Sequence, residues 1–408
     1  MKKLTKIILL LLCAVCAFGL FACNQDGGNI KKTGLSYYRV AKDGEDPYYV
    51  IDGYVDDGET TVLTVPSVLG DKNEPVKRIK AGAFADNGTL TEIVIPSSVT
   101  EIDAGAFAGM TKLAKITLPF IGGKINADGY IHESKTDVDK AVDSERLFGY
   151  VFGTESYNFG TALNQRYASN ATDDTDSKYV VTYYIPVTLK EVVITANDYT
   201  LPMYAFYGNN SVNKVSFIGT VKGIGDYSFF GNAFLSAMTL PASVERIGAH
   251  AFDGCSSLST FNLESERVKI GDYALKDTAI EEVSVKEGYS LGNYVFAGSA
   301  VKNVTFAASE IPYYTFYQCV NLETVNISDM VYKIGGYAFA GCTALSKFGR
   351  VDANLAATNG TIDLAGISDV YGMAFSNLNS SVTYTVKNAP AGINADSVFY
   401  KTNTSVSG

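Results

Sequence analysis

The residues of this 408-residue chain best equipped for chemistry are few: six cysteines, two histidines and one dense acidic run. Cys255, Cys319 and Cys342 lie in the body of the chain, where two thiols in an oxidising compartment would pair. Cys319 and Cys342 are 23 residues apart, and all three occupy equivalent places in a repeating pattern, so they read as small buried hydrophobes. His132 and His250 fall in no metal-binding or nucleophile motif, and H-E-x-x-H, G-x-S-x-G and G-x-x-x-x-G-K-[ST] do not occur. Asp173, Asp174 and Asp176 have the carboxylate density of a calcium loop but lack its glycine and closing glutamate at the right spacing. The other carboxylates are many and dispersed, and no acid/base pair stands out. No catalytic residue, metal or cofactor is therefore expected, and binding is the chemistry left.

A binding role depends on what the scaffold holds rigid. Val76, Ile79, Ala83 and Phe84 recur 23 residues later as Val99, Ile102, Ala106 and Phe107, and Leu90, Ile93 and Pro96 recur as Leu113, Ile116 and Pro119. Further on, the phenylalanine position reads Phe206, Phe229, Phe252, Leu275, Phe296, Phe316 and Phe339, with degenerate copies ending at Phe375 and Phe399. From Lys115 to Leu118 polar and apolar residues alternate, the period of a half-buried strand, and Pro119 ends it. One parallel strand per repeat is expected, because a 23-residue unit cannot bury its own apolar side and must stack on its neighbours. Gly225, Gly248 and Gly335 are expected in tight turns. About ten repeats at ~4.8 Å make an array on the order of 50 Å long.

The unit, I-G-x-x-A-F-x-x-C-x-x-L-x-x-I-x-[IL]-P, is matched best by Ile247 to Leu258 and Ile334 to Leu345. It resembles the BspA-type leucine-rich repeat of bacterial surface proteins. The resemblance implies a β-rich solenoid of about 23-residue units. Residues 36–75, with turn signals at Asp43-Gly44 and Asp57-Gly58, are expected to form a β-hairpin cap over the first repeat. Repeats follow over 76–119 and 189–408, degenerate from about 349. Between them, 120–188 is an insertion, and its Leu147 to Thr154 and Tyr179 to Ile185 segments resemble a connector of the same family. Tyr179 to Ile185 is expected to rejoin the sheet as a strand.

At the start of the chain, Lys2, Lys3 and Lys6 precede an uncharged, mostly apolar run from Ile7 to Ala22, too short to span a bilayer as a helix. Residues 1–22 read as a signal peptide. Leu20, Phe21, Ala22 and Cys23 resemble a lipobox, which implies lipid on Cys23, a tether over 23–35 and an exported protein anchored at the cell surface. The net charge of −10 includes those three lysines, so the processed chain carries about −13, which disfavours nucleic acid as a partner.

On each strand the residues between buried positions face outwards. One column includes Thr117, Ser216 and Asn262, with Thr239, Ser284 and Thr305 between and beyond them; the other includes Glu92, Lys115, Lys214, Glu282 and Asn303. The plainest account of such a face is a solvated sheet whose Thr and Ser favour strands. As a rigid, hydrogen-bonding array it suits an extracellular or host protein ligand. A glycan-binding lipoprotein is the alternative, with the 27 tyrosines as platforms in a chain without tryptophan. A hydrolase housed in the insertion would need carboxylates clustered in a cleft. The sequence identifies neither the ligand nor the oligomeric state.

Overall fold

The computed structural model describes residues 34–125, 145–167, 180–350 and 360–406. Cys23 with the rest of the signal and tether segment, His132, the Asp173, Asp174 and Asp176 run and Tyr179 lie outside these residues.

The chain is a β-solenoid. Strands Val62–Thr64, Glu92–Val94, Lys115–Leu118, Glu191–Ile194, Lys214–Phe217, Ala237–Leu240 and Thr260–Leu263 form one seven-stranded parallel sheet in chain order. A second seven-stranded sheet continues the array from Glu282–Val285 to Thr404–Val406. The alternation read from the sequence decides which side is inside: Ile116 and Leu118, or Val304 and Phe306, are buried, and the residues between them turn outwards.

Each turn carries more than the expected single strand. A second, shorter strand leads into the A-F segment, as in Val221–Ile224, Arg246–Ile247 and Arg267–Ile270, and these pair in parallel ladders of their own. The glycines that follow them are needed for a reason other than a special turn. A Cβ on Gly225 would lie 2.5 Å from the Met203 backbone nitrogen, and one on Gly335 would lie 2.5 Å from that of Tyr313, so successive turns approach too closely for any side chain. The left-handed backbone falls two residues later, on Tyr227, His250, Tyr273 and their counterparts, with φ of 53° to 60° from Tyr204 to Tyr337.

Between the ladders runs a column of phenylalanines. Phe206, Phe229 and Phe252 stack at 5.1 and 5.0 Å, Leu275 fills one layer, and Phe296, Phe316, Phe339, Phe375 and Phe399 continue at 5.2 to 5.6 Å. The column shows why the repeat is strict: a ring belongs in each layer of a core that no single turn can close.

The N-terminal cap forms as expected in outline. Gly34–Val40 and Tyr48–Val55 make an antiparallel hairpin around Asp43-Gly44, and Tyr48–Val55 pairs in parallel with Glu74–Ile79. Asp57-Gly58 is a corner between two sheets rather than a second hairpin, because Tyr48–Val55 and Val62–Thr64 belong to different ladders. There the Asp57 carboxylate accepts from Thr60 Oγ1 and from the backbone N–H groups of Thr60 and Glu59, and these bonds hold its pKa down at about 2.

The insertion does not interrupt the array. Lys115–Leu118 pairs directly with Glu191–Ile194, so 76 residues make one turn where 23 suffice elsewhere. Tyr179 to Ile185 does not rejoin the main sheet, whose free edge is already taken by Glu191–Ile194. Instead Val180–Pro186 pairs antiparallel with Gly160–Arg166 as a separate hairpin. The 3₁₀ turn Phe148–Phe152 supplies this turn's share of the core, with Phe152 6.1 Å from Phe107 and Phe148 4.8 Å from Phe206. A second departure is Thr361–Asp363, a strand with no partner turn in the phenylalanine column, since Phe339 stacks straight onto Phe375. Arg350 closes that corner by donating to the carbonyls of Ser328, Val331 and Ala365.

Candidate functional site

The outward columns of the long-strand sheets can be followed by register. In the first sheet Glu92, Lys115, Glu191 and Lys214 are successive cross-strand neighbours, followed by Ala237 and Thr260. In the second sheet Glu282, Asn303, Thr324 and Lys347 continue the pattern. Charges alternate in sign and are paired: Lys115 Nζ lies 2.9 Å from Glu92, and Lys214 Nζ 3.0 Å from Glu191. The bond to Glu92 is the main cause of a raised pKa at Lys115. Asn303 Nδ2 donates to Glu282 Oε1 at 2.8 Å. Lys115 and Lys214, expected as solvated cations, are thus members of an ion-pair ladder. Glu191 completes it, and was concealed in the sequence because the enlarged turn displaces it from the 23-residue spacing.

The second column is less uniform than the sequence implied. Thr239, Asn262, Ser284 and Thr305 are exposed, Ser216 is half-buried, and Asn262 Nδ2 reaches Thr239 Oγ1 at 3.4 Å. Thr117, expected to face solvent, is only 8% exposed, and its neighbour Val193 is buried as well. The open polar face therefore lies away from the enlarged turn, over the strands from Ala237 onwards.

Other groups able to do chemistry are built into the scaffold. Cys255, Cys319 and Cys342 are free and buried, and each thiol donates to a phenylalanine carbonyl one layer back, those of Phe229, Phe296 and Phe316, at 3.0 to 3.1 Å. They are packed, as expected, but also satisfy backbone acceptors, a task that hydroxyls take over at Thr278 and Ser299. Burial pushes the Cys319 thiol up to about 12, so it stays protonated at neutral pH. His250 is a ring of the Tyr204 to Tyr337 stack, with its Nδ1 2.7 Å from Asp253 Oδ2. A polar cavity of about 240 Å³ lies beside the enlarged turn, lined by Arg78, Glu101, Asp103, Lys124, Glu145 and Tyr150. Arg78 forks onto Asp103 through two 3.0 Å bonds, and Lys124 lies 3.4 Å from Glu101, so these carboxylates face cations rather than a nucleophile. Among the described residues no group of three His, Cys, Asp or Glu side chains is placed to hold a metal, and no helix is long and apolar enough to cross a membrane.

Two ladders of strands, a stacked ring in nearly every layer and thiols on the preceding carbonyls make up a repeat geometry that sequence comparison recognises. The profile described as "BspA type Leucine rich repeat region" matches in six copies, over residues 73–133, 181–302, 286–358 and 309–405. The chain belongs to the BspA-type leucine-rich repeat family. No curated protein sequence matches it. Among solved structures, this BspA-type chain is similar to a leucine-rich repeat protein of Bacteroides ovatus, at 18% identity and a TM-score of 0.36, over 93% of this chain and all of that one. It is also similar to a leucine-rich cell surface protein of Faecalibacterium prausnitzii, at 17% identity and a TM-score of 0.34, over 94% of this chain and 96% of that one.

Proposed function

We propose that this BspA-type protein is a non-catalytic surface lipoprotein that binds extracellular or host proteins across its long-strand sheets. The observation that supports this reading most is the outward polar face, rigid because every strand within it is held on both sides. Seven strands at ~4.8 Å, each four residues long at ~3.3 Å, give roughly 400 Å² per sheet, and two sheets together approach the ~800 Å² that one partner contributes to a standard protein interface. Alternating, mutually paired charges leave the face nearly neutral although the chain as a whole is acidic, which lets a protein partner dock without strong repulsion.

The lipid on Cys23 and the surface location belong to the same proposal and rest on the lipobox-like segment. Cys23→Ala should move the protein from the detergent phase to the aqueous phase, and wholly unchanged partitioning would refute the anchor. For the binding face, residues 24–408 serve as bait on extracellular protein extracts, and the captured partner is then titrated against Asn262→Arg combined with Thr305→Arg. Both positions are exposed and neither is part of the ion-pair ladder. Affinity should fall at least tenfold with an unchanged melting temperature. Equal affinity in a folded variant would remove the sheet face from consideration.

A further inference from the structure

The tyrosines sort into two kinds. Tyr204, Tyr227, His250, Tyr273, Tyr294, Tyr314 and Tyr337 stack nearly parallel at 4.2 to 5.2 Å, so every interior ring of that ladder has both faces covered by its neighbours. Tyr313, Tyr332 and Tyr371 differ. They are 40%, 43% and 41% exposed, and Tyr313 meets Tyr371 at 5.5 Å with the ring planes inclined by 55°, so neither ring spends a whole face on the other. Register explains how they meet. Glu310, Lys333 and Asp369 are successive neighbours in the short-strand ladder, which places Tyr313 and Tyr371 two turns apart. The intervening turn has Gly335 and Gly336 there, and a Cβ on Gly336 would sit 3.4 Å from the Tyr313 ring. Polar groups edge the patch: Lys333 Nζ lies 5.7 Å from the Tyr371 centroid and 2.9 Å from Glu310, and Tyr332 Oη donates to Glu310 at 2.6 Å.

We infer that this patch is a carbohydrate site for neutral pyranose polymers, separate from the protein-binding face proposed above. A pyranose offers a flat C–H face to an aromatic ring and a rim of hydroxyls that both donate and accept. Inclined, exposed tyrosine rings answer the first, and the Glu310 and Asp369 carboxylates with the Lys333 ammonium answer the second. Glu310 and Lys333 cancel one another and Asp369 adds one negative charge, so the patch attracts no anionic polymer. The central Lys333–Ile334 strand is paired on both sides, so a peptide finds no free backbone edge to extend. A saccharide needs none.

Affinity electrophoresis of the full chain through gels containing soluble α-glucan, β-glucan, mannan or galactan tests this, with hyaluronate as the anionic control. At least one neutral polymer should retard the protein. Tyr371→Ala and Tyr313→Ala should each weaken that retardation about tenfold, the worth of a stacked aromatic contact. Glu310→Gln should weaken it without removing a ring, which guards against misfolding of the alanine variants. Asn262→Arg should leave it unchanged, separating this site from the sheet face. The inference is overturned if no neutral polymer retards the chain, if the tyrosine variants migrate like the parent, or if only hyaluronate or a proline-rich peptide is bound.

Discussion

The regular turns between Leu189 and Phe348 and the single enlarged turn between Pro119 and Leu189 solve the same problem with very different lengths of chain. In the regular part each turn returns to the sheet after about 23 residues, and one ring enters the core per layer. The enlarged turn takes 76 residues, sends out a separate hairpin, and still delivers a strand in register and rings in the column. What a solenoid requires of a turn is therefore small: one strand, one filled core layer and a satisfied backbone at the crossing. Anything between those points is free to grow outwards, since a longer loop adds only a slowly rising entropic cost.

The comparison can be broken first in the core. Phe252→Ala removes a fully buried ring stacked on Phe229 and touched edge-on by Phe261, and is expected to cost ~3 to 5 kcal/mol, at the upper end because parallel strands on both sides prevent collapse. Phe152→Ala in the enlarged turn should fall at the lower end of that range, since Phe148, 5.3 Å away, can relax into the gap. Urea unfolding of both variants measures the difference. An equal or larger loss at Phe152 would mean that the enlarged turn is as tightly specified as the rest.

A smaller effect tests how the excursion is attached. Gln165 is fully buried on the hairpin; its Oε1 accepts from the Gly149 N–H at 2.6 Å and its Nε2 donates to the Ala205 carbonyl at 2.9 Å, so it bridges the hairpin, the 3₁₀ turn and the next repeat. Gln165→Ala strands one donor and one acceptor, an expected loss of ~1 to 3 kcal/mol. Hydrogen exchange should quicken at Gly149 while the amides of the 237–263 strands keep their protection. Uniform loss of protection along the array would show that the excursion is structurally continuous with the regular turns.

These two regions also differ in how readable they were. The 23-residue recurrence of Phe, Leu, Ile and Pro exposed the solenoid because identical layers demand identical residues. It could not show the enlarged turn as a turn, since Phe148 and Phe152 serve the column from a 3₁₀ segment that follows no repeat spacing. The second ladder was missed because strands of two residues, such as Arg246–Ile247, are too short for alternation to register. At the binding face the columns were legible and their state was not. Burial of Thr117 and the pairing of Lys115 with Glu92 depend on what lies across from them, which no single repeat encodes.

The smallest expected effect concerns the seam between the regions. Lys115 sits between Glu92 on a regular strand and Glu191 on the strand that closes the enlarged turn, whereas Lys214 is in register with Glu191 on one side and the uncharged Ala237 on the other. Both lysines are partly exposed, so each pair contributes below ~1 kcal/mol. Lys115→Ala should nevertheless cost more than Lys214→Ala, because it leaves two glutamates facing each other across one vacated position, while Lys214→Ala leaves Glu191 still opposite Lys115. At 1 M salt, where the screening length shrinks to ~3 Å, the two losses should converge. Thr239→Ala, exposed and uncharged, should lie within ~0.5 kcal/mol of the parent at either salt. If Lys115→Ala and Lys214→Ala differ equally at low and high salt, their difference comes from packing of the lysine stems, and the charge ladder does not distinguish the seam from the regular sheet.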